Sequence, residues 1–230
     1  MFAAIAPRYD AANRVLTAGV DEAWRRRAVR ELGLGAQGDV LDLCTGTGDL
    51  AFHLTRAMRG IRVTAVDFCE PMLRSARERS RREDPQARIA FVEADVLALP
   101  FPDRSFDGAT MGFSMRNVVD INATLREIRR VLRPGARFVN LDVSRPSSPF
   151  VRKAFELYFY GLVPLIGGWI GGSQAAYRYL PQSLTNYPDA RKLAERFSEA
   201  GFEQVRVVLL GMGAIAIHVG SRPERAEDEA

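Results

Sequence analysis

Cysteine is scarce in this chain: Cys44 and Cys69 are the only two in 230 residues. Two isolated thiols in apolar, strand-associated positions build no disulfide framework and suit a reducing compartment. No Cys-x-x-Cys or His-x-x-x-His spacing occurs, so a metal-ligand pattern is missing too. The opening Met1–Asp10 stretch is short and interrupted by charge, without the apolar centre of a secretory signal, and a cytoplasmic location is expected. Charge of one sign is not in large excess either. Lysine plus arginine number 32 against 28 acids, a net +4, and almost all the basic residues are arginine. The densest runs, Trp24–Arg27 and Arg74–Arg82, are interleaved with Glu and apolar residues at helical spacing. They read as solvated helix faces, so no nucleic-acid partner is expected. An anionic membrane surface suits a mild positive excess better. A twenty-residue stretch without charge, Leu157–Ala176, is broken by five glycines and Pro164. It reads as a buried or lid-forming insertion and not as a membrane span.

What remains is an ordinary globular composition, 47% hydrophobic and 26% charged, in a length that fits one domain with decorations. Apolar periodicity predicts two helices before residue 33, one over Ala3–Val15 and one over Val20–Leu32 with Gly33-Leu-Gly35 ending it. A regular alternation follows: strand 39–44, helix 49–59, strand 61–67, helix 70–82, strand 88–93. Strand 106–112, helix 119–132 and strand 136–143 continue it. Such alternation indicates βαβ units around a mainly parallel sheet with helices on both faces and ligands at the strands' carboxyl ends. Pro146 and Pro149 break the pattern, and an aromatic-rich helix resumes from Phe150 to Tyr160. Helix 189–200 and an antiparallel hairpin of strands 202–210 and 213–219, turning near Gly211 and Gly213, complete the domain. The expected division is a helical cap (1–35), a cofactor-binding core (39–144), an apolar insertion (145–188) and a closing helix and hairpin (189–220). A polar, disordered tail is expected from Ser221 to Ala230.

The most informative stretch is Asp39–Ala51, where the apolar strand Val40–Cys44 breaks into Thr45-Gly46-Thr47-Gly48 and restarts as a helix. Glycines let the backbone turn sharply and approach a ligand, and the helix start presents free N–H donors. Asp49 is expected to cap the first turn. The next strand ends in Asp67, 21 residues after Gly46, near the spacing that places a carboxylate on a ribose diol. Asp95, where the third strand runs into an apolar loop, can meet an adenine amino group while the loop covers the ring. A turn former at Asp95, a core residue at Phe106 and a helix stop at Pro134-Gly135 are the plainer readings of the same landmarks.

In this order and spacing, residues 39–144 resemble the class I S-adenosylmethionine-dependent methyltransferases, with a Rossmann-like, seven-stranded, mostly parallel sheet. The likeness narrows outside that core. Met1–Asn13, Trp24-Arg-Arg, Leu99–Asp107, Gly112-Phe-Ser-Met-Arg-Asn117, Tyr177–Ser183 and Ala216–Gly220 resemble the ubiquinone/menaquinone biosynthesis C-methyltransferase family. Ser114 replaces a usual glycine, and Ala136 ends a usual Pro-Gly-Gly.

The resemblance implies methyl transfer from S-adenosylmethionine to a ring carbon of a polyprenylated quinol such as demethylmenaquinol, without a metal. It implies that Thr45, Gly46, Thr47 and Gly48 hold the amino-acid part of the cofactor and that Asp67 takes the ribose. Phe68, Met72, Asp95 and Val96 lie on the adenine side, and the loop from Gly112 faces the methyl group. Arg116 and Asn117 are the substrate-side candidates for holding a phenolate, and Tyr177 and Tyr9 are candidates for orienting a quinol hydroxyl. His218 and His53 read as structural, and no proton acceptor is assigned. Residues 157–176 would line a channel for the polyprenyl tail or touch lipid, and the exposed apolar decorations would tolerate a homodimer. Three other readings use the same glycine turn. They are a class I methyltransferase for another hydrophobic molecule such as a sterol or phenol, a nicotinamide-dependent reductase, and a nucleotide-binding scaffold without turnover.

Overall fold

A computed structural model describes residues 14–163 and 183–224. Helix α1 spans Asp21–Leu32 and is ended by Gly33 in the left-handed conformation that glycine adopts without strain. Ala28 and Leu32 are buried on it, and Leu32 lies against Gly108 of the sheet, where a Cβ would come within 3.0 Å of its methyl. The expected alternation then follows: β1 (Gln37–Leu43), α2 (Asp49–Ala57), β2 (Gly60–Asp67), α3 (Glu70–Glu83), β3 (Ile89–Glu93) and β4 (Phe106–Gly112). A 3-10 turn (Met115–Asn117), α4 (Ile121–Val131), β5 (Leu132–Val143) and α5 (Pro149–Glu156) come next. The chain closes with α6 (Ala190–Glu199), β6 (Glu203–Leu210) and β7 (Ile215–Ser221).

The described strands form one seven-stranded sheet in the order β3-β2-β1-β4-β5-β7-β6. Strands β1 to β5 are parallel, and β7 runs antiparallel between β5 and β6. Strand order reverses between β1 and β4, and that switch point opens a crevice above the carboxyl ends of the parallel strands. Helices α1, α2 and α3 pack on one face and α4 and α6 on the other. Fully buried Leu41, Leu43, Ala109, Met111, Phe138 and Ile217 make the core between them. Asp120 and Asp189 cap α4 and α6, each accepting a backbone N–H at 2.9 Å.

Three expectations need correction. Strand β5 begins at Leu132, so Pro134-Gly135 does not separate helix from strand. It forms a bulge inside β5, where the register jumps from Phe106–Leu132 to Gly108–Arg137. The tail does not start at Ser221, because Ser221 is still paired in the sheet with Arg137 and Glu203. Arg222 then donates to the carbonyls of Arg129, Arg130 and Leu132 at 2.7–2.9 Å, satisfying the carboxyl end of α4. Finally, the helix from Phe150 loosens into a π-helical turn over Leu157–Leu162.

Of the uncharged stretch 157–176, only residues 157–163 are described; Phe159 and Val163 are buried, while Leu157, Tyr160 and Leu162 are exposed. Among the described residues no helix is long and apolar enough to cross a membrane, and no acidic, His and Cys cluster could hold a metal.

Candidate active site

The site starts from a strained turn. After β1 the backbone of Cys44, Gly46 and Gly48 takes positive φ (50°, 58° and 87°), which folds the chain back between strand and helix. At Gly48 a Cβ would also come within 3.0 Å of the Phe52 ring, so both conformation and space require glycine there. Asp67, at the end of neighbouring β2, locks the turn: its Oδ2 accepts the Gly46 N–H at 2.8 Å and its Oδ1 accepts the Cys69 N–H at 2.9 Å. Burial nevertheless pushes the Asp67 carboxyl above its usual range.

Beside it, Asp42 is buried and accepts hydroxyl hydrogen bonds from Thr45 (2.5 Å) and Thr110 (2.7 Å). Desolvation, opposed by those two donors and reinforced by the Asp67 charge, raises its pKa to about 6. Asp49 does not cap α2 as expected, because Gly48 occupies the cap position and the Asp49 carboxylate turns instead to Arg25 of α1 and Arg79 of α3. Burial opposes its ionisation, but the two guanidinium groups hold its pKa below the usual range.

These groups line a cavity of about 320 Å³, within the range of small-molecule sites. Thr45, Gly46, Thr47, Asp67, Phe68, Met72, Asp95, Val96, Gly112 and Asn117 all line it. Gly48 does not; its part is to make the turn. Phe68 is 66% exposed at the cavity's rim, a large apolar face without a covering partner. Asp95 serves both readings given above, since it lines the cavity and also accepts the Leu97 N–H as a turn former. The loop that follows is tied down from α4, where Glu127 accepts the Leu99 N–H at 2.7 Å and Arg130 donates to the Leu99 and Phe101 carbonyls.

Arg116 stands elsewhere. Its guanidinium is buried against Asp142 of β5, and it does not line the cavity; of the Arg116-Asn117 pair only Asn117 does. Tyr177 and Tyr9 lie outside the described residues. His218 is buried with Nε2 2.8 Å from the Ala190 carbonyl, and His53 Nδ1 lies 2.9 Å from the Asp49 carbonyl, so both histidines are tied to helix ends. Three residues escaped the sequence reading: Asp42, Arg25 and Asp142. Arg25 was visible only as one arginine in a basic run, yet it lines the cavity and sits 5.4 Å from the Phe113 ring.

The charge balance decides what the cavity suits. Four carboxylates (Asp42, Asp49, Asp67 and Asp95) face it against one guanidinium, Arg25. Burial first, and then the charges of Asp67, Asp42 and Asp95, hold the Cys44 thiol in its protonated form, its pKa pushed upward. A pyrophosphate would be repelled here, while a ribose diol attached to a positively charged sulfonium is favoured.

Comparison with known proteins agrees. The model of the ubiE/COQ5 methyltransferase family matches residues 1–222. The chain belongs to that family. It is therefore an S-adenosylmethionine-dependent methyltransferase. A demethylmenaquinone methyltransferase of Thermus thermophilus is 45% identical over 97% of this chain and 100% of its own length. One from Roseiflexus is 42% identical over 96% of this chain and 91% of its own. A ubiquinone/menaquinone biosynthesis C-methyltransferase of Geobacter is 37% identical over 96% and 94%. Among solved structures, the fold is shared with an Aquifex aeolicus methyltransferase (TM-score 0.63, 21% identity, 86% of this chain and 88% of that one). It is shared also with a Methanococcus maripaludis putative methyltransferase (TM-score 0.67, 18% identity, 96% and 94%).

Proposed function

We propose that this methyltransferase converts a demethylmenaquinol to the menaquinol by methylating a ring carbon. The observation that supports the substrate most directly is the length of the match. Relatives named for demethylmenaquinone cover the helical cap, the insertion and the closing hairpin as well as the cofactor core. The Geobacter relative, named for both quinone pathways, makes the ubiquinone-pathway methylation the second reading.

S-adenosylmethionine would supply an electrophilic methyl on a cationic sulfur. The glycine turn at Thr45–Gly48 would hold its amino-acid part, Asp67 its ribose, and Phe68, Met72, Asp95 and Val96 its adenine. The four carboxylates that face the cavity offset its positive charge, an affinity that fades as transfer neutralises the sulfur.

The remaining work concerns the quinol. Its ring carbon becomes nucleophilic when a neighbouring hydroxyl loses a proton, and it must later give up the ring proton to regain aromaticity. Asn117 lines the cavity with a buried Oδ1 that has no hydrogen-bond partner. It is the group we assign to the quinol hydroxyl; Arg116 acts from behind it, and water is the proton acceptor. For a substrate with a polyprenyl tail, exposed Phe150, Leu157, Tyr160 and Leu162, with Arg152 and Lys153 beside them, form a surface suited to reversible contact with an anionic bilayer.

The test is transfer of labelled methyl from S-adenosylmethionine to demethylmenaquinol in detergent under reducing conditions. Label on the ring carbon is expected. A folded protein that binds the cofactor yet labels neither demethylmenaquinol nor the ubiquinone precursor would overturn the substrate assignment.

A further inference from the structure

Asp142 lies one residue before the carboxyl end of β5, 1% exposed, behind the cavity wall. Its Oδ1 accepts the Arg116 guanidinium and, at 2.8 Å, the Val143 N–H. Its Oδ2 accepts the backbone N–H of the same Arg116 at 3.3 Å. One carboxylate therefore grips a single residue by its side chain and its main chain. That residue is the middle of the Met115–Asn117 turn, and the residue after it is Asn117, which faces the cavity. Met115, fully buried, pins the other end of the turn.

Stability alone is a weak reason for this arrangement, because desolvating two charges offsets most of their attraction. The surroundings make stability weaker still as an explanation. Asn140, two positions earlier on the same face of β5, has neither amide atom hydrogen-bonded. The Tyr187 hydroxyl sits beside Asn140 and Asp142 without reaching hydrogen-bond geometry to either. His218, directly opposite Asn140 across the β5–β7 ladder, leaves Nδ1 without a partner. Buried polar groups without partners are rare, and a cluster of them beside a buried ion pair marks a region shaped by something other than stability.

We propose that Asp142 is a positioning residue for methyl transfer. By gripping Arg116 at both backbone and guanidinium it sets the Asn117 carboxamide at the cavity wall, where its amide NH2 donates to the substrate oxygen as the hydroxyl ionises. This rests on the reading that a phenolic substrate binds beside Asn117. Asp142 touches no substrate and passes no proton.

The test is a double-mutant cycle in the full chain, with methyl transfer to demethylmenaquinol as the rate and calorimetry for S-adenosylmethionine affinity. Asp142→Asn and Asn117→Ala are each expected to lower kcat roughly 10- to 100-fold, the scale of a misplaced group. Cofactor Kd should stay within about twofold, and the double variant should be no slower than Asn117→Ala alone. Multiplying losses, or a wild-type kcat in Asp142→Asn, would overturn the proposal. Should Asp142→Asn fail to fold, Asp142→Leu combined with Arg116→Leu replaces the pair by apolar side chains, a change buried pairs tolerate. The same loss of kcat, again absorbed by Asn117→Ala, is then expected, and an additive loss again overturns it. A wild-type protein that binds cofactor but methylates no quinol would instead sink the functional reading, and this inference with it.

Discussion

Two regions of the sheet treat buried polar groups in opposite ways. On the β1–β2 side, polar groups are partnered before any ligand arrives: Asp42 by two threonine hydroxyls, Asp67 by two backbone N–H groups, Asp49 by two arginines. On the β5–β7 side, Asn140, Tyr187, His218 Nδ1 and Ser144 have polar atoms with no hydrogen-bond partner. The first arrangement is a preorganised receptacle, in which groups already fixed lose little freedom when the ligand binds. The second carries a desolvation cost that its own hydrogen bonds do not repay. Under the proposed function, the first half would hold the cofactor and the second would support the substrate side.

The largest effect expected from that division comes from Asp67. Asp67→Ala removes the carboxylate that locks the Gly46 turn and, in the assigned role, its hydrogen bonds to the ribose. Charge-assisted hydrogen bonds contribute about 1.5–3 kcal/mol each, so cofactor Kd should rise on the order of 100-fold. At saturating cofactor, kcat should fall far less. Calorimetry and a saturation assay read the two separately, and a variant that kept its affinity but lost kcat would blur the boundary between the halves.

Next comes a pH dependence. The folded Asp42 pKa of about 6 lies above the value near 3.9 of an unfolded chain. Between those values the folded state holds the extra proton, so Asp42 disfavours the fold increasingly as pH rises from about 4 to 6. At pH 7 its ionised form costs about 3 kcal/mol, at 1.36 kcal/mol per unit. A cationic cofactor favours that ionised form, so its affinity should climb as pH passes 6, on the order of tenfold between pH 5 and 7.5. Asp42→Asn should flatten the profile. An unchanged slope in that variant would show that Asp42 is not the titrating group.

The same division explains what the sequence made readable. Gly46, Asp67 and Asp95 sit at strand ends in a fixed local order, and a parallel sheet converts that order into a shared cavity; the ten residues assigned to the cofactor therefore fall on it or, for Gly48, make its turn. Partners that meet across long sequence distances left no such signal. Arg116 looked free because its ion pair is 26 residues away on β5, and Arg25 looked like one charge on a solvated helix face. Asp49 satisfied the pattern of a helix cap, but two arginines from other helices outbid the local N–H groups. Arg222 read as tail because nothing local reveals that three carbonyls at the end of α4 await a donor.

The smallest expected effect is the sharpest check, because one chemical change should have opposite signs in the two halves. Thr110→Val deletes a hydroxyl that donates to buried Asp42, and an isosteric methyl cannot replace the donor. The carboxylate's pKa should climb further, and the protein should lose about 2 kcal/mol at pH 7 but less at pH 5, where Asp42 is protonated. Tyr187→Phe deletes a buried hydroxyl that makes no hydrogen bond in the structure.

 Its removal lifts the desolvation penalty of an unpartnered group without opening a cavity, so stability should hold or rise by up to about 1 kcal/mol. Denaturant unfolding of both variants at pH 7 and pH 5 measures the pair. If Tyr187→Phe lost as much stability as Thr110→Val, the hydroxyl would have a partner in the folded protein. The β5–β7 side would then be as fully satisfied as the cofactor side, and the contrast between them would fail.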